Sequence, residues 1–149
     1  MNKTRTLVFA VLSIVSLTAQ STAAQDSCEA KVRAKAPDLK RVDGPYTSAM
    51  GDFDGDNKED TAFFIEKPKD GKSRAVAVCL SSRADALLIT DLYVNESLSV
   101  SKKGTSFYNF ETNKEDAYPS DGISVSCCEC CGATYLYSNG TFYQVVDSD

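Results

Sequence analysis

The sequence contains no histidine. This absence excludes the Ser-His-Asp and Cys-His catalytic mechanisms, zinc sites with histidine ligands, and general acid–base catalysis by an imidazole. The sequence also lacks an uninterrupted apolar run of the roughly 20 residues that a membrane-spanning helix needs. Basic residues are outnumbered, with 16 Lys and Arg against 21 Asp and Glu. Nucleic acids and anionic lipids both attract basic patches, so we expect a protein that binds neither.

The N-terminus has the three-part layout of a secretory signal peptide. Lys3 and Arg5 supply positive charge, and residues 7–17 (LVFAVLSIVSL) form a short apolar to neutral segment. Thr22 and Ala24 then place small residues where a signal peptidase needs them. The sequence therefore predicts export as a soluble protein, with cleavage after Ala24.

Cleavage would leave residues 25–149 as one acidic globular domain in the periplasm or outside the cell, with no membrane attachment. Because residues 1–24 hold two basic residues and no acidic one, the net charge would change from −5 to −7 (14 basic against 21 acidic residues). Lipid attachment at Cys28 is not expected, since the preceding AQDS is polar and acidic instead of apolar and small. The chain has no internal repeat or linker, and its length suits a single domain with a modest core.

All six cysteines follow the predicted cleavage site: Cys28, Cys79, Cys127, Cys128, Cys130 and Cys131. An even number of cysteines in an exported protein favours disulfide bonds. Six cysteines allow many different pairings, and the sequence does not choose among them. A bond between Cys28 and Cys79 would fasten an N-terminal helix to the sheet.

The segment SCCECCG (residues 126–132) contains two overlapping Cys-x-x-Cys pairs. Such a cluster could bind Cu(I) or Zn(II), or it could exchange disulfides. Neighbouring thiolates would struggle to surround one ion, because strong four-cysteine sites take two pairs from separate loops. Structural disulfides are therefore the favoured interpretation. A thiol-based soft-metal-binding or redox protein that uses the cluster from Cys127 to Cys131 is the alternative.

Capping and periodicity predict one N-terminal helix followed by strands. Asp26 or Ser27 can cap a short helix, and Pro37 ends it. The segments TAFFIE (residues 61–66) and SRAVAVCLS (residues 73–81) are apolar or alternating and partly β-branched, as strands are. The expected fold class is α+β, with the N-terminal helix packed on a mostly antiparallel β-sheet.

Turn signals divide the strands. KPKDGK (residues 67–72) is a predicted hairpin turn. Asn139 and Gly140, between two aromatic and β-branched segments, predict a C-terminal hairpin with a type I′ turn. Residues 111–122 (ETNKEDAYPSDG) are polar and include proline and glycine, which predicts a long exposed loop.

The segment GDFDGDNKED (residues 51–60), the acidic loop, holds five acidic residues and one lysine. Counted from Asp52, its carboxylates fall at positions 1, 3, 5 and 9, and position 7 can supply a backbone carbonyl. A chain that curls around one ion presents alternate residues inward, so this is the ligand spacing of a calcium loop. The predicted Ca²⁺ ligands are the carboxylates of Asp52, Asp54, Asp56 and Asp60 and the carbonyl oxygen of Lys58.

The acidic loop departs from an EF-hand, because position 12 is Phe63 instead of a bidentate Glu and a strand-like segment follows. Position 6, where the chain turns sharply, is Asn57, a residue that tolerates positive φ. The segment MGDFDGDNKEDTAFFI (residues 50–65) resembles the calcium loop of FG-GAP and VCBS repeat proteins. Repeats of that family act as propeller blades, but this chain has a single copy, so the resemblance covers the loop alone. The C-terminal segment resembles the final hairpin of small exported bacterial proteins with this loop, whose function is uncharacterised.

These features predict a non-enzymatic, exported binding or structural module that one Ca²⁺ stabilises. The carboxylates that could serve a hydrolase are the ones that the ion would occupy. The expected partner is a protein or glycan of the cell envelope.

Overall fold

The computed structural model describes residues 18–66, 74–90, 92, 97–127 and 132–148, with side chains from Ser27 to Val145 within these ranges. Most of the predicted signal peptide, the turn predicted at residues 67–72 and residues 128–131 of the cysteine cluster lie outside the described residues. In the described part of the chain, no helix is both long and apolar enough to cross a membrane.

One helix and eleven strands follow one another along the described chain: α1 (Thr18–Lys35), β1 (Lys40–Arg41), β2 (Ser48–Gly51), β3 (Asp60–Glu66), β4 (Arg74–Cys79), β5 (Leu87–Ile89), β6 (Ser97–Ser101), β7 (Ser106–Asn109), β8 (Lys114–Ala117), β9 (Gly122–Ser126), β10 (Gly132–Ser138) and β11 (Thr141–Ser148). Asp26 and Ser27 lie inside α1, so neither caps it as predicted. α1 ends at Lys35, because the residue before Pro37 disfavours the helical conformation.

Among the described residues, all strand pairs are antiparallel, and they form two sheets and a separate hairpin. The first sheet has the order β1-β3-β4-β5, with β2 also paired with β3, and the second has the order β11-β10-β9-β6. β7 pairs only with β8 among the described strands. A backbone hydrogen bond of 2.7 Å from the N–H of Leu98 in β6 to the carbonyl of Tyr46 connects the two sheets.

The main core lies between the two sheets. Phe64, Val76 and Val78 from the first sheet meet Ile123 and Tyr135 from the second, and all five side chains are buried. Successive side chains of a strand point to opposite faces, so each of these strands gives every second residue to this core.

The other face of the first sheet packs against α1. Phe63 and Ile65 of β3 lie there with Cys28 and Val32 of α1, and a disulfide bond joins Cys28 to Cys79 of β4. Because β3 is buried on both faces, its sequence is an apolar run instead of an alternation.

The predicted α+β class is wrong, since the fold is essentially all-β. Among the described side chains of α1, only Cys28 and Val32 are buried, so the helix adds little to the core. The two sheets bury one face of each other. This arrangement contains more strands than the sequence predicted. The predicted loop at residues 111–122 contains β8, whose four residues are all exposed and polar or small. A strand exposed on both faces leaves no apolar alternation to recognise.

The C-terminal hairpin has the predicted form. β10 and β11 pair on either side of Asn139 and Gly140, with Ser138 opposite Thr141. The φ angles of Asn139 and Gly140 are 51° and 87°, and a type I′ turn requires positive φ at both central residues.

Candidate metal site

The acidic loop is the connection of the β2–β3 hairpin. Gly51 at the end of β2 pairs with Asp60 at the start of β3, so the residues between them form a closed loop. Phe53 has 0% exposure and lies in the main core, which anchors the loop between the sheets. A Cβ atom at Gly51 would lie 2.9 Å from an oxygen of Asp121 and 3.0 Å from the Phe53 ring, so a larger residue would force these side chains to shift.

Three of the predicted ligands lie together. One carboxylate oxygen each from Asp52, Asp54 and Asp60 lie within 4.8 Å of one another. Two like charges about 4 Å apart near a protein surface repel by roughly 4 kcal/mol, so this arrangement favours a bound cation. The Oδ1 atom of Asp52 is buried and has no hydrogen-bond partner in the described part of the chain. These three carboxylates could hold a metal ion.

Asp60 is the fixed member of this group, with a side chain that is only 1% exposed. Its Oδ2 atom accepts a hydrogen bond of 2.9 Å from the N–H of Phe53, and its Oδ1 atom accepts one of 2.7 Å from the N–H of Ser81. Burial raises the pKa of Asp60 above its ordinary value, even though both N–H groups favour the charged form. Each carboxylate oxygen has a second lone pair, so an ion can still bind.

Backbone and hydroxyl groups orient the other two carboxylates. The N–H of Asn57 donates to Oδ2 of Asp52 at 3.0 Å, and the N–H of Asp56 donates to Oδ1 of Asp54 at 3.2 Å. The hydroxyl of Ser82 donates to Oδ2 of Asp54 in a short hydrogen bond. Asn57 has a φ of 64°, the positive value predicted for the sharp turn at this position.

The carboxylate of Asp56 does not belong to this group of three, and it makes hydrogen bonds with Lys58 and Ser81. Its Oδ1 atom accepts the N–H of Lys58 at 2.8 Å, and its Oδ2 atom accepts the hydroxyl of Ser81 at 3.0 Å and lies 3.4 Å from Nζ of Lys58. Desolvation acts to raise the pKa of Asp56, but these hydrogen bonds outweigh it and hold the pKa below its ordinary value. The roles of Asp56 and of the Lys58 carbonyl as ligands stay predictions.

Sequence reasoning missed the residues that approach the acidic loop from other strands. Ser81 and Ser82 follow β4, and only the antiparallel pairing of β3 with β4, with Thr61 opposite Cys79, brings them beside the loop. A Ser-Ser pair after a strand is common, so the sequence carries no specific signal for this contact.

Asp121, just before β9, ties the loop to the second sheet. Its Oδ2 atom accepts the N–H of Asp52 at 3.2 Å and lies 2.7 Å from Nζ of Lys102, while its Oδ1 atom accepts the N–H of Lys103 at 3.0 Å. Burial acts to raise the pKa of Asp121, but the Lys102 ammonium and the two N–H groups lower it below the ordinary value. Asp121 is therefore a charged carboxylate that is neutralised within its own network.

The loop borders an open cleft of about 380 Å³, which lies beside Asp52, Lys58, Lys102 and Asp121. Of the three grouped carboxylates, Asp52 borders this cleft, so water in the cleft could complete the coordination of an ion from the Asp52 side. Every candidate ligand here is an oxygen atom, which favours a hard cation over the soft metals that thiolates select.

The cysteine cluster is a separate matter. Cys127 is partly buried directly after β9, and Cys128, Cys130 and Cys131 lie outside the described residues. The thiol-based alternative for the function therefore stays a prediction.

The resemblance of the acidic loop to FG-GAP and VCBS calcium loops rests on residues 50–65. In the structure this segment is the end of β2, the loop and the greater part of β3, and the resemblance stays a prediction. We found no match to a protein-family model, and no significant match among curated proteins or solved structures.

Proposed function

We propose that the protein is an exported, non-enzymatic binding or structural module, stabilised by one Ca²⁺ and acting on a protein or glycan of the cell envelope. Asp52, Asp54 and Asp60 bind the ion through their carboxylates. The loop spacing adds Asp56 and the carbonyl of Lys58 as further ligands, with water in the remaining positions. One observation carries the proposal: one carboxylate oxygen each from three aspartates lie within 4.8 Å of one another, and one of these aspartates, Asp52, has a buried oxygen with no hydrogen-bond partner among the described residues.

The chemistry of the loop favours Ca²⁺ over Mg²⁺. Ca²⁺ accepts six to eight oxygens in flexible geometry, whereas Mg²⁺ requires a near-ideal octahedron and keeps several of its waters. A loop whose acidic residues alternate along the chain offers many oxygens in an irregular arrangement. Removal of the repulsion among the carboxylates is then the source of the stabilisation.

Titration with Ca²⁺ should show one site with a dissociation constant of roughly 10⁻⁴ to 10⁻³ M, as in other extracellular modules. At ten times that concentration, the ion should raise the free energy of unfolding by about 1.4 kcal/mol. The measurements are calorimetric titration and thermal unfolding with Ca²⁺, with Mg²⁺ and with a chelator. Asp54→Asn should weaken binding, because it removes one ligand charge from a partly exposed position.

The matched control is Glu115→Gln, which removes one charge from the exposed strand β8 and should leave binding unchanged. Absence of both binding heat and a thermal shift at millimolar Ca²⁺ would contradict the proposal. Equal stabilisation of the Asp54→Asn variant would contradict the assignment of the ligands.

Export predicts a mature chain that begins at Gln25 and carries no lipid. The Cys28–Cys79 disulfide supports an oxidising compartment, and it uses the sulfur atom that lipid attachment would need. α1 contacts the rest of the protein through Lys31, Val32 and Lys35, which all follow the predicted cleavage site. Cleavage would therefore leave these contacts in the mature chain. Mass spectrometry of secreted or periplasmic protein measures the N-terminus. A diacylglyceryl group on Cys28 would refute this prediction.

A further inference from the structure

The turn between β4 and β5, residues 80–83 (the serine turn), supplies donors to three carboxylates of the acidic loop. The N–H of Ser81 donates to Asp60 at 2.7 Å, and the hydroxyl of Ser81 donates to Asp56 at 3.0 Å. The hydroxyl of Ser82 donates to Asp54. The serine turn therefore sets the directions in which the carboxylate oxygens point.

The opposite side of the serine turn is held by α1. Nζ of Lys31 donates to the carbonyl of Arg83 at 2.6 Å and lies 3.4 Å from the carbonyl of Leu80, so it bridges the two ends of the turn. The disulfide bond between Cys28 and Cys79 fastens α1 to the residue directly before the turn. Cys28 is 1% exposed and packs beside Phe63 and Ile65, so this attachment lies in a packed region.

We propose that the Cys28–Cys79 disulfide and Lys31 position the serine turn for calcium binding, so that cleavage of the disulfide weakens Ca²⁺ affinity. This inference rests on the proposed function and concerns regulation of the same site. Ser81 and Ser82 are positioning residues: they orient Asp54, Asp56 and Asp60, and they offset part of the repulsion among them. When the turn is released, the carboxylates lose these donors and separate. The ion must then order them again, which lowers its affinity.

The chemical step is an ordinary thiol–disulfide exchange. Because Cys28 and Cys79 are buried, a dithiol reductant attacks their bond when local opening exposes it, and the S–S bond breaks as the two cysteine sulfurs gain two electrons and two protons. The dithiol loses the same two electrons and two protons and closes into a cyclic disulfide. The calcium site would thus respond to the redox state of the compartment.

The test is a calorimetric Ca²⁺ titration of the full mature chain and of Cys28→Ser/Cys79→Ser. Groups that orient metal ligands typically change metal affinity by about ten to a hundredfold when removed, so we expect binding about tenfold weaker in the double variant. A dithiol should weaken binding of the unaltered protein by a similar factor. It should not weaken the double variant further, which separates this disulfide from the cysteine cluster.

Two single variants keep the disulfide and test the same contact if the double variant does not fold. Lys31→Ala removes the ammonium group that bridges the carbonyls of Leu80 and Arg83, and Ser82→Ala removes the hydroxyl that orients Asp54. Both substitutions should weaken Ca²⁺ binding several-fold. Their matched controls are Arg33→Ala, whose guanidinium pairs with Glu29 on the same helix, and Ser99→Ala on the exposed face of β6. Both controls should bind Ca²⁺ as the unaltered protein does.

The outcomes separate the inference from the proposed function. If the unaltered protein binds Ca²⁺ and Lys31→Ala, Ser82→Ala and the reduced protein all bind it equally well, the inference is overturned and the calcium site stands. If the unaltered protein does not bind Ca²⁺, the proposed function fails and the inference fails with it.

Discussion

Replacement of Asp60 with asparagine should weaken Ca²⁺ binding by about a hundredfold and destabilise the calcium-free protein by about 1–3 kcal/mol. Asp60 is 1% exposed, and each of its carboxylate oxygens accepts a backbone N–H, one from Phe53 and one from Ser81. An asparagine keeps one acceptor oxygen but turns its NH₂ group toward the other N–H. That backbone N–H, the buried one of Phe53 or the partly buried one of Ser81, would be left without an acceptor, and the ion would lose a ligand charge.

The effect on stability and the effect on affinity are measured separately. Chemical unfolding in the presence of a chelator reports the calcium-free protein, and calorimetric titration reports the affinity. Asp54→Asn is the matched control, because it makes the same chemical change at a partly exposed ligand. It should weaken binding with little effect on the calcium-free stability. Full Ca²⁺ affinity in Asp60→Asn would show that Asp60 is a structural residue and not a ligand.

The sequence predicted which carboxylates lie together where they come from one short segment. Alternate spacing placed Asp52, Asp54 and Asp60 in one group, and the structure brings these three together. The same spacing could not reveal the contacts of Asp56, because the hydroxyl of Ser81 comes from a turn 25 residues away. Contacts between segments depend on the pairing of β3 with β4, and no local pattern encodes that pairing.

The fold was predicted less well, because the sequence did not reveal all of the strands. The strong apolar and β-branched segments that became β3, β4, β10 and β11 were recognised because burial leaves a clear pattern. β8 is exposed along its whole length, so its residues look like those of a loop. Because fewer strands were predicted than the structure describes, the prediction gave the N-terminal helix a main part in the core. The second sheet, which covers the first, was not predicted.

The substitution Phe53→Ala should lower the free energy of unfolding by about 3–5 kcal/mol, the usual effect of removing a buried aromatic ring. Phe53 has 0% exposure and packs with residues of both sheets, although it belongs to the most acidic segment of the chain. The packing of this ring in the main core holds the acidic loop in its position next to the two sheets. Its loss would leave a cavity directly beneath the carboxylates, and the repulsion among them would then separate them more easily.

Chemical unfolding of Phe53→Ala, Phe53→Leu and Phe110→Ala in a chelator measures this effect. Phe53→Leu keeps most of the buried volume and should destabilise the protein by less than about 1.5 kcal/mol. Phe110→Ala is the matched control: this ring is 39% exposed and makes an edge contact with Tyr108, so its loss should also stay below about 1.5 kcal/mol. Comparable losses for Phe53→Ala and Phe110→Ala would contradict the role of Phe53 as the anchor. In that case hydrogen bonds such as those of Asp60 and Asp121 would hold the acidic loop in place of the ring, and Asp60→Asn would become the more destabilising substitution.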